Sequence, residues 1–205
     1  MLLYKYKPPS PLEYVVDMIM HERLYCAEYG ELNDPFEGQF YSTEPRPLWL
    51  AFNSPGEKKL SSVEGLAAWT GNKRICSLSD TSSDIRMWSL YAGGHRGVAV
   101  ELDFSGIEKN VRKVSYVETL REWGTTILGG ATPEEVLSCK TQHWQYECEH
   151  RVFSDEPYFP VVGRIRRILL GARSAEDLGA VLHMLAPTIK VIRAALDHDG
   201  ISVRI

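Results

Sequence analysis

Glu147, Glu149 and Arg151 alternate within Trp144-Gln145-Tyr146-Glu147-Cys148-Glu149-His150-Arg151. On an extended strand, side chains two apart share a face, so the segment predicts two carboxylates and a guanidinium pointing the same way. Such a set can stabilise developing positive charge, hold a hydroxyl or move a proton. A solvated outer strand face accepts the same E-x-E-x-R pattern. Two further polar clusters favour a site. One is Leu32-Asn33-Asp34-Pro35-Phe36-Glu37, where Asn33, Asp34 and Glu37 would face a ligand on a loop that Phe36 pins to the core, although these residues also build ordinary turns. The other runs from Met87 to Gly97. In it, Trp88 and Tyr91 lie on one helix face that suits a core or a pocket, and His95 and Arg96 follow a Gly-Gly break at an expected exposed edge, where a cation can meet phosphate or carboxylate.

The elements that must position these groups are mixed. Alternation predicts strands over Leu2–Tyr6, Arg23–Glu28, Lys73–Ser79, Gly97–Asp103, Val111–Val117, Glu147–Phe153 and Arg164–Leu170, with Ser77 and Ser79 on a common face. Helices are expected after Pro11, over Ser61–Trp69, over Asp84–Tyr91, from Thr132 to about Gln145 and from Ser174 to Pro187. The prolines between Tyr41 and Gly56 predict an irregular surface excursion. The closing Ile189–Ile205 reads as a hairpin around Asp197-His198-Asp199-Gly200, with a kinked continuation of the helix as the alternative. Strands and helices occur without regular alternation, so the expected class is α+β in a single domain, 1–205.

Composition narrows the function classes. The chain has 205 residues, of which 44% are hydrophobic, enough for a substantial core. A net charge of −4 argues against broad adhesion to nucleic acid or anionic membrane, while Arg164, Arg166, Arg167 and Arg173 leave room for a local basic stripe. Four cysteines without a C-x-x-C pair, no signal-peptide core and no apolar run of about 18 residues predict a soluble protein of the cytoplasm with reduced thiols. His143, Glu147, Glu149 and His150 lie close in sequence, but no H-E-x-x-H or cysteine-rich pattern supports a metal centre, and no metal ligands are assigned. G-x-S-x-G and the G-x-x-x-x-G-K phosphate loop do not occur.

Five motifs in order, Leu3-Tyr4-Lys5-Tyr6, Leu32 to Glu37, Met87-Trp88-Ser89-Leu90-Tyr91-Ala92, His95-Arg96-Gly97-Val98 and Trp144 to Arg151, resemble the bacterial domain-of-unknown-function family 2971 over nearly the whole chain. The layout more distantly resembles the ADP-ribosyltransferase superfamily and its DNA-modifying toxin branch. That second resemblance implies a mixed, mainly antiparallel split sheet with flanking helices. It also implies NAD as substrate, held by Tyr4, Lys5, Tyr6, the Asn33–Glu37 loop (Asn33, Asp34, Phe36, Glu37), Ser77, Ser79, Trp88, Tyr91, His95 and Arg96. Glu149 would be the catalytic carboxylate, Glu147 the group that orients or deprotonates the acceptor, and Arg151 the cation that keeps both ionised. Lys5 stands where those proteins carry histidine or arginine. The implied function is an NAD-dependent ADP-ribosyltransferase or NAD glycohydrolase, a toxin or antiphage effector, with an acceptor that is nucleic acid, protein, small molecule or water and a regulatory partner possible. Two other classes remain open. One is a metal-dependent nuclease using Asp34, Glu37, Glu147 and Glu149, and the other is a nucleotide-binding module without turnover.

Overall fold

The computed structural model describes residues 1–34, 36, 39, 41–43, 58–60, 73–119, 132–198 and 203–205. In chain order these form β1 (Leu2–Lys7), α1 (Glu13–Met20), β2 (Arg23–Tyr25), β3 (Tyr41–Thr43), β4 (Lys58–Leu60), β5 (Arg74–Ser79), α2 (Ile85–Tyr91), β6 (Val98–Asp103), β7 (Val111–Lys113) and β8 (Ser115–Val117). There follow α3 (Pro133–Val136), β9 (Cys139–Thr141), β10 (Glu149–Ser154), β11 (Tyr158–Pro160), β12 (Ile165–Leu170), α4 (Glu176–Leu185), β13 (Lys190–Arg193), β14 (Ala195–Leu196) and β15 (Val203–Arg204). The class is α+β, built on a seven-stranded sheet in the order β13-β12-β6-β1-β5-β10-β7. Only its β12–β13 pair is parallel. The predicted helix at Ser61–Trp69, Glu37 and most of the proline-rich excursion lie outside the described residues.

Alternation along β1 explains why the sheet is covered on both sides. Leu3 joins one apolar cluster with Val15, Met18 and Ile19 of α1 and with Leu178 and Leu182 of α4. Tyr4 and Tyr6 belong to a second cluster with Met87 and Trp88 of α2. Helix α2 starts where the Asp84 carboxylate accepts from the Arg86 N–H at 2.8 Å, satisfying a first-turn donor that the helix itself cannot. Strands β6 and β12, whose apolar residues are buried, pair along almost their full length within the sheet, with a register shift between Ile165 and Arg167.

Two joints in this sheet set the position of its polar residues. Strand β1 pairs with β6 over six residues but with β5 at one position only, Tyr4 opposite Ser79. Beyond that pair, β1 and β5 part, and Lys5 Nζ bridges to the Ser77 carbonyl at 2.8 Å. Strand β5 is held from its other side by β10, with Glu149 opposite Ser79. Tyr4, Ser79 and Glu149 therefore occupy one row across three strands.

The structure departs from several sequence expectations. The helix predicted from Thr132 to about Gln145 has its capping box, Thr132 with Glu135, but ends after one turn. Cys139–Thr141 is drawn instead into parallel pairing with β8, and tertiary pairing outweighs local propensity. The segment Val111–Val117 is two strands in different sheets. At the C-terminal end, β13 docks parallel to β12 through a helical crossover by α4, and only the short β14–β15 pair is a hairpin. Pro11 precedes the first helix, but Leu12 occupies its cap and no side chain caps it.

Close backbone approach fixes the turn after α2. A Cβ on Gly171 would fall 2.2 Å from the His95 carbonyl oxygen, in a place where the Arg173 N–H also donates to that oxygen at 2.9 Å. His95 itself has φ of +65°, so neither chain can retreat cheaply. Gly171→Ala is expected to lower unfolding stability by about 2 kcal/mol, measured by urea denaturation. A variant as stable as the parent would show that this contact is not rigid.

Candidate functional site

A cavity of about 370 Å³ opens where β1 and β5 part. Its floor carries Glu149 at the start of β10 and Glu147 in the 3-10 turn Gln142–Glu147 just before it. Between these two glutamates, Cys148 takes a left-handed conformation with φ of +45°. The strand thus begins at Glu149 and not at Glu147, so the two acids do not share a strand face as their spacing predicts. They converge all the same, because a turn and a strand end bring them to one cation.

That cation is Lys140 on β9. Its Nζ lies 2.8 Å from Glu147 Oε2 and 2.8 Å from Glu149 Oε2, and the side chain is nearly inaccessible to solvent. Glu149 also takes Arg151, with Nε donating to Oε1 at 2.8 Å and Nη2 to Oε2 at 3.0 Å, the bidentate geometry that gives guanidinium pairs their strength. Arg151 is fully buried and donates to the Leu137 carbonyl. The Glu149 backbone N–H donates to Tyr116 Oη at 2.8 Å, which fixes the strand entrance. Glu147 has a lighter set of partners: Lys140, and the phenol of Tyr91, which donates to Oε1. Its own carbonyl accepts from the Ser79 hydroxyl at 2.6 Å.

The two carboxyls therefore differ electrostatically. Burial opposes ionisation of Glu149, but the attraction of Arg151 and of Lys140 outweighs it and holds the carboxyl well below the ordinary carboxylate range. For Glu147 burial dominates, and Lys140 and Tyr91 only partly offset it, so its pKa is raised. The sequence pattern has Arg151 keeping both ionised; in the structure it is bidentate on Glu149, and among the described residues the cation on Glu147 is Lys140. The neighbouring phenols respond in the same sense, Tyr91 being pushed strongly upward by burial and by Glu147.

Of the residues singled out from sequence, Tyr4, Lys5, Tyr6, Asn33, Ser77, Ser79 and Tyr91 line this cavity together with Glu147 and Glu149. Tyr4 donates to Glu101 Oε2 at 2.9 Å, and Tyr6 to the Thr81 carbonyl at 2.8 Å. Others are elsewhere. Trp88 is wholly buried, packed edge-on against Tyr6 with its Nε1 donating to the Ser82 carbonyl at 2.8 Å, so it supports the wall from behind. His95, expected at an exposed edge, is buried and stacked on Trp88, with Nε2 3.1 Å from the Ser89 hydroxyl and Nδ1 unpartnered among the described residues. Burial and the nearby Arg173 lower its pKa. Arg96 is exposed and away from the cavity lining. Asp34 is buried and turned onto its own loop, accepting from the Phe36 N–H at 2.9 Å. Phe36 is exposed, so it does not pin that loop to the core. Arg151 is not in the cavity lining and positions the Glu149 carboxylate that is. Glu37 lies outside the described residues.

Sequence reasoning missed Lys140, Tyr116 and Lys7. Lys140 was hidden inside the predicted helix, where its neighbours gave no strand signal. Among the described residues, no group of three or more His, Cys, Asp and Glu side chains is placed to hold a metal ion. Nor is any described helix long and apolar enough to cross a membrane. Compared with family models, with curated proteins and with solved structures, the chain matches none.

The ion cluster makes a stability test. Arg151→Met leaves Glu149 buried with half its compensation and is expected to cost about 3–5 kcal/mol at neutral pH. Glu149, with a lowered folded pKa, contributes stability above its unfolded value that is lost as pH falls through the folded one; Glu147, with a raised pKa, has the opposite sign. Removing Arg151 raises the Glu149 pKa, so the deficit should shrink as pH is lowered toward about 4, the unfolded carboxyl value. Glu149→Gln combined with Arg151→Met should recover part of it. Urea titrations at several pH values check both statements, and a deficit that does not change with pH would sink the assignment.

Proposed function

We propose that this protein cleaves the nicotinamide–ribose bond of NAD, as an ADP-ribosyltransferase or NAD glycohydrolase on an ADP-ribosyltransferase-like split sheet. The observation that carries the reading is Glu149, a carboxylate held ionised by Arg151 and Lys140, lining a cavity in the same row as Tyr4 and Ser79. Heterolysis sends the bonding pair to the pyridinium nitrogen, releases neutral nicotinamide and leaves positive charge shared between the ribose C1′ and its ring oxygen. A fixed anion whose geometry is already set lowers the free energy of that charge without reorganising. Glu147 is the complementary group. Its raised pKa suits a base that takes the proton from the acceptor as the new bond to C1′ forms, and its hydrogen bond from Tyr91 orients it.

The parting of β1 from β5 supports the split-sheet comparison, and the tyrosines on the cavity walls suit flat rings. A cytoplasmic toxin or antiphage effector is the cellular role consistent with the family resemblance, with nucleic acid, protein, small molecule or water as acceptor. A metal-dependent nuclease is less well supported. An ammonium already sits between Glu147 and Glu149, and Asp34 is committed to its own loop.

Purified protein incubated with NAD should release nicotinamide, and Glu149→Gln should reduce kcat by about 10² or more while the protein stays folded. Glu147→Gln should slow transfer, with an effect that depends on the acceptor offered. Saturable NAD binding without nicotinamide release, from protein tested against DNA, RNA, protein and water as acceptors, would replace the enzyme with a binding module. EDTA-sensitive cleavage of nucleic acid would replace it with a nuclease.

A further inference from the structure

Lys5 and Lys7 leave β1 on one face, opposite that of Tyr4 and Tyr6, and both line the cavity beside β5. Among the described residues neither meets a carboxylate. Lys5 donates to the Ser77 carbonyl at 2.8 Å, which leaves two of its three protons for other acceptors, and Lys7 lies 5.3 Å from the centre of the Tyr14 ring. Two ammonium groups side by side, partly desolvated and without an anion, make an unfavourable arrangement unless a ligand completes it. The cost is visible: burial, with the repulsion of Lys5 added, pushes the Lys7 ammonium down to about 8. Glu31, the remaining acid of the lining, is exposed and engaged by the Tyr25 hydroxyl at 2.9 Å and the Glu28 N–H at 2.7 Å.

We propose that Lys5 and Lys7 form an anion subsite for a diphosphate, so that the cavity takes a dinucleotide or nucleoside diphosphate rather than a nucleoside. The two residues are about 6.6 Å apart along the strand, a spacing for two linked phosphoryl groups and wider than one needs. Lys7 is three residues along β1 from Tyr4, the residue in register with Ser79 and Glu149, or about 10 Å along the strand direction. The two lysines leave β1 on the face opposite Tyr4, so within the cavity lining the cations and the carboxyl pair are set apart both along the strand and across the sheet. A ligand with a diphosphate on one side of its sugar and a cleavable bond on the other can enter in one orientation only. This inference rests on the cavity being the ligand site of the proposed function, but not on NAD being consumed there.

Calorimetry at low salt with inorganic pyrophosphate, inorganic phosphate and ADP-ribose tests it. Pyrophosphate is expected to bind saturably and more tightly than phosphate, ADP-ribose at least as tightly, and Lys7→Met to weaken pyrophosphate by about tenfold or more. Lys7→Gln is the second variant should Lys7→Met fold poorly, and Lys7→Arg should retain binding. The proposal is overturned if the wild-type protein does not bind pyrophosphate, or if Lys5→Met combined with Lys7→Met binds it unchanged. Lysine-dependent pyrophosphate binding with no nicotinamide release from NAD keeps the subsite and removes the enzyme. NAD turnover with no dependence of pyrophosphate binding on Lys7 keeps the enzyme and removes the subsite.

Discussion

One ammonium shared by two buried carboxyls constrains the rest of the site. Lys140 cannot leave water without anions, Glu149 cannot remain ionised at its depth without cations, and each alone would cost several kcal/mol. Together with Arg151 they reach near charge balance, and the hydrogen bonds from Tyr91 and to Tyr116 fix the remaining geometry. Because Arg151 grips Glu149 with two hydrogen bonds while Glu147 takes Lys140 and Tyr91, the balance is uneven. One carboxyl is held below the ordinary carboxylate range and its neighbour is raised above it, a difference that two equivalent acids in one environment could not reach.

The cavity depends on the opposite device, an incomplete interaction. Full pairing of β1 with β5 would close the space that now separates Lys5 and Tyr6 from Ser77. A single pair, Tyr4 with Ser79, keeps the sheet continuous while the strands part on one side of it. The Lys5 ammonium satisfies a carbonyl exposed by that parting, so the opening carries less unsatisfied backbone than its geometry alone would leave. Behind the walls, Trp88 and His95 provide a packed, stacked support, with Trp88 Nε1 satisfied by the Ser82 carbonyl.

Much of the fold was legible because period and caps are local signals. β1, β5, β6 and β12 follow their alternation, and α2 falls within the predicted Asp84–Tyr91, with Asp84 as its cap. The convergence of Tyr4, Ser79 and Glu149 was legible only as a hope, since register across strands far apart in sequence leaves no mark on any one segment. What failed had physical reasons. Thr132-Pro133-Glu134-Glu135 starts a helix without saying how far it runs, and the parallel pairing of Cys139–Thr141 with Ser115–Val117 ended it. Period-two logic placed Glu147 and Glu149 on one face and could not foresee the left-handed turn at Cys148. His95 and Arg96 read alike as surface cations, yet the turn sends one inward and the other into solvent.

Lys140, Glu147, Glu149 and Arg151 all come from one short stretch of chain, whereas the facing wall of the cavity is β1, from the far end. Contacts between near neighbours close small loops at little entropic cost and need not wait for distant segments. The charged partners are neighbours along the chain, but the hollow they line cannot exist until the first strand lies between β5 and β6. The cavity is accordingly a late-maturing feature: a partly folded molecule would possess the acids and still lack the hollow they line.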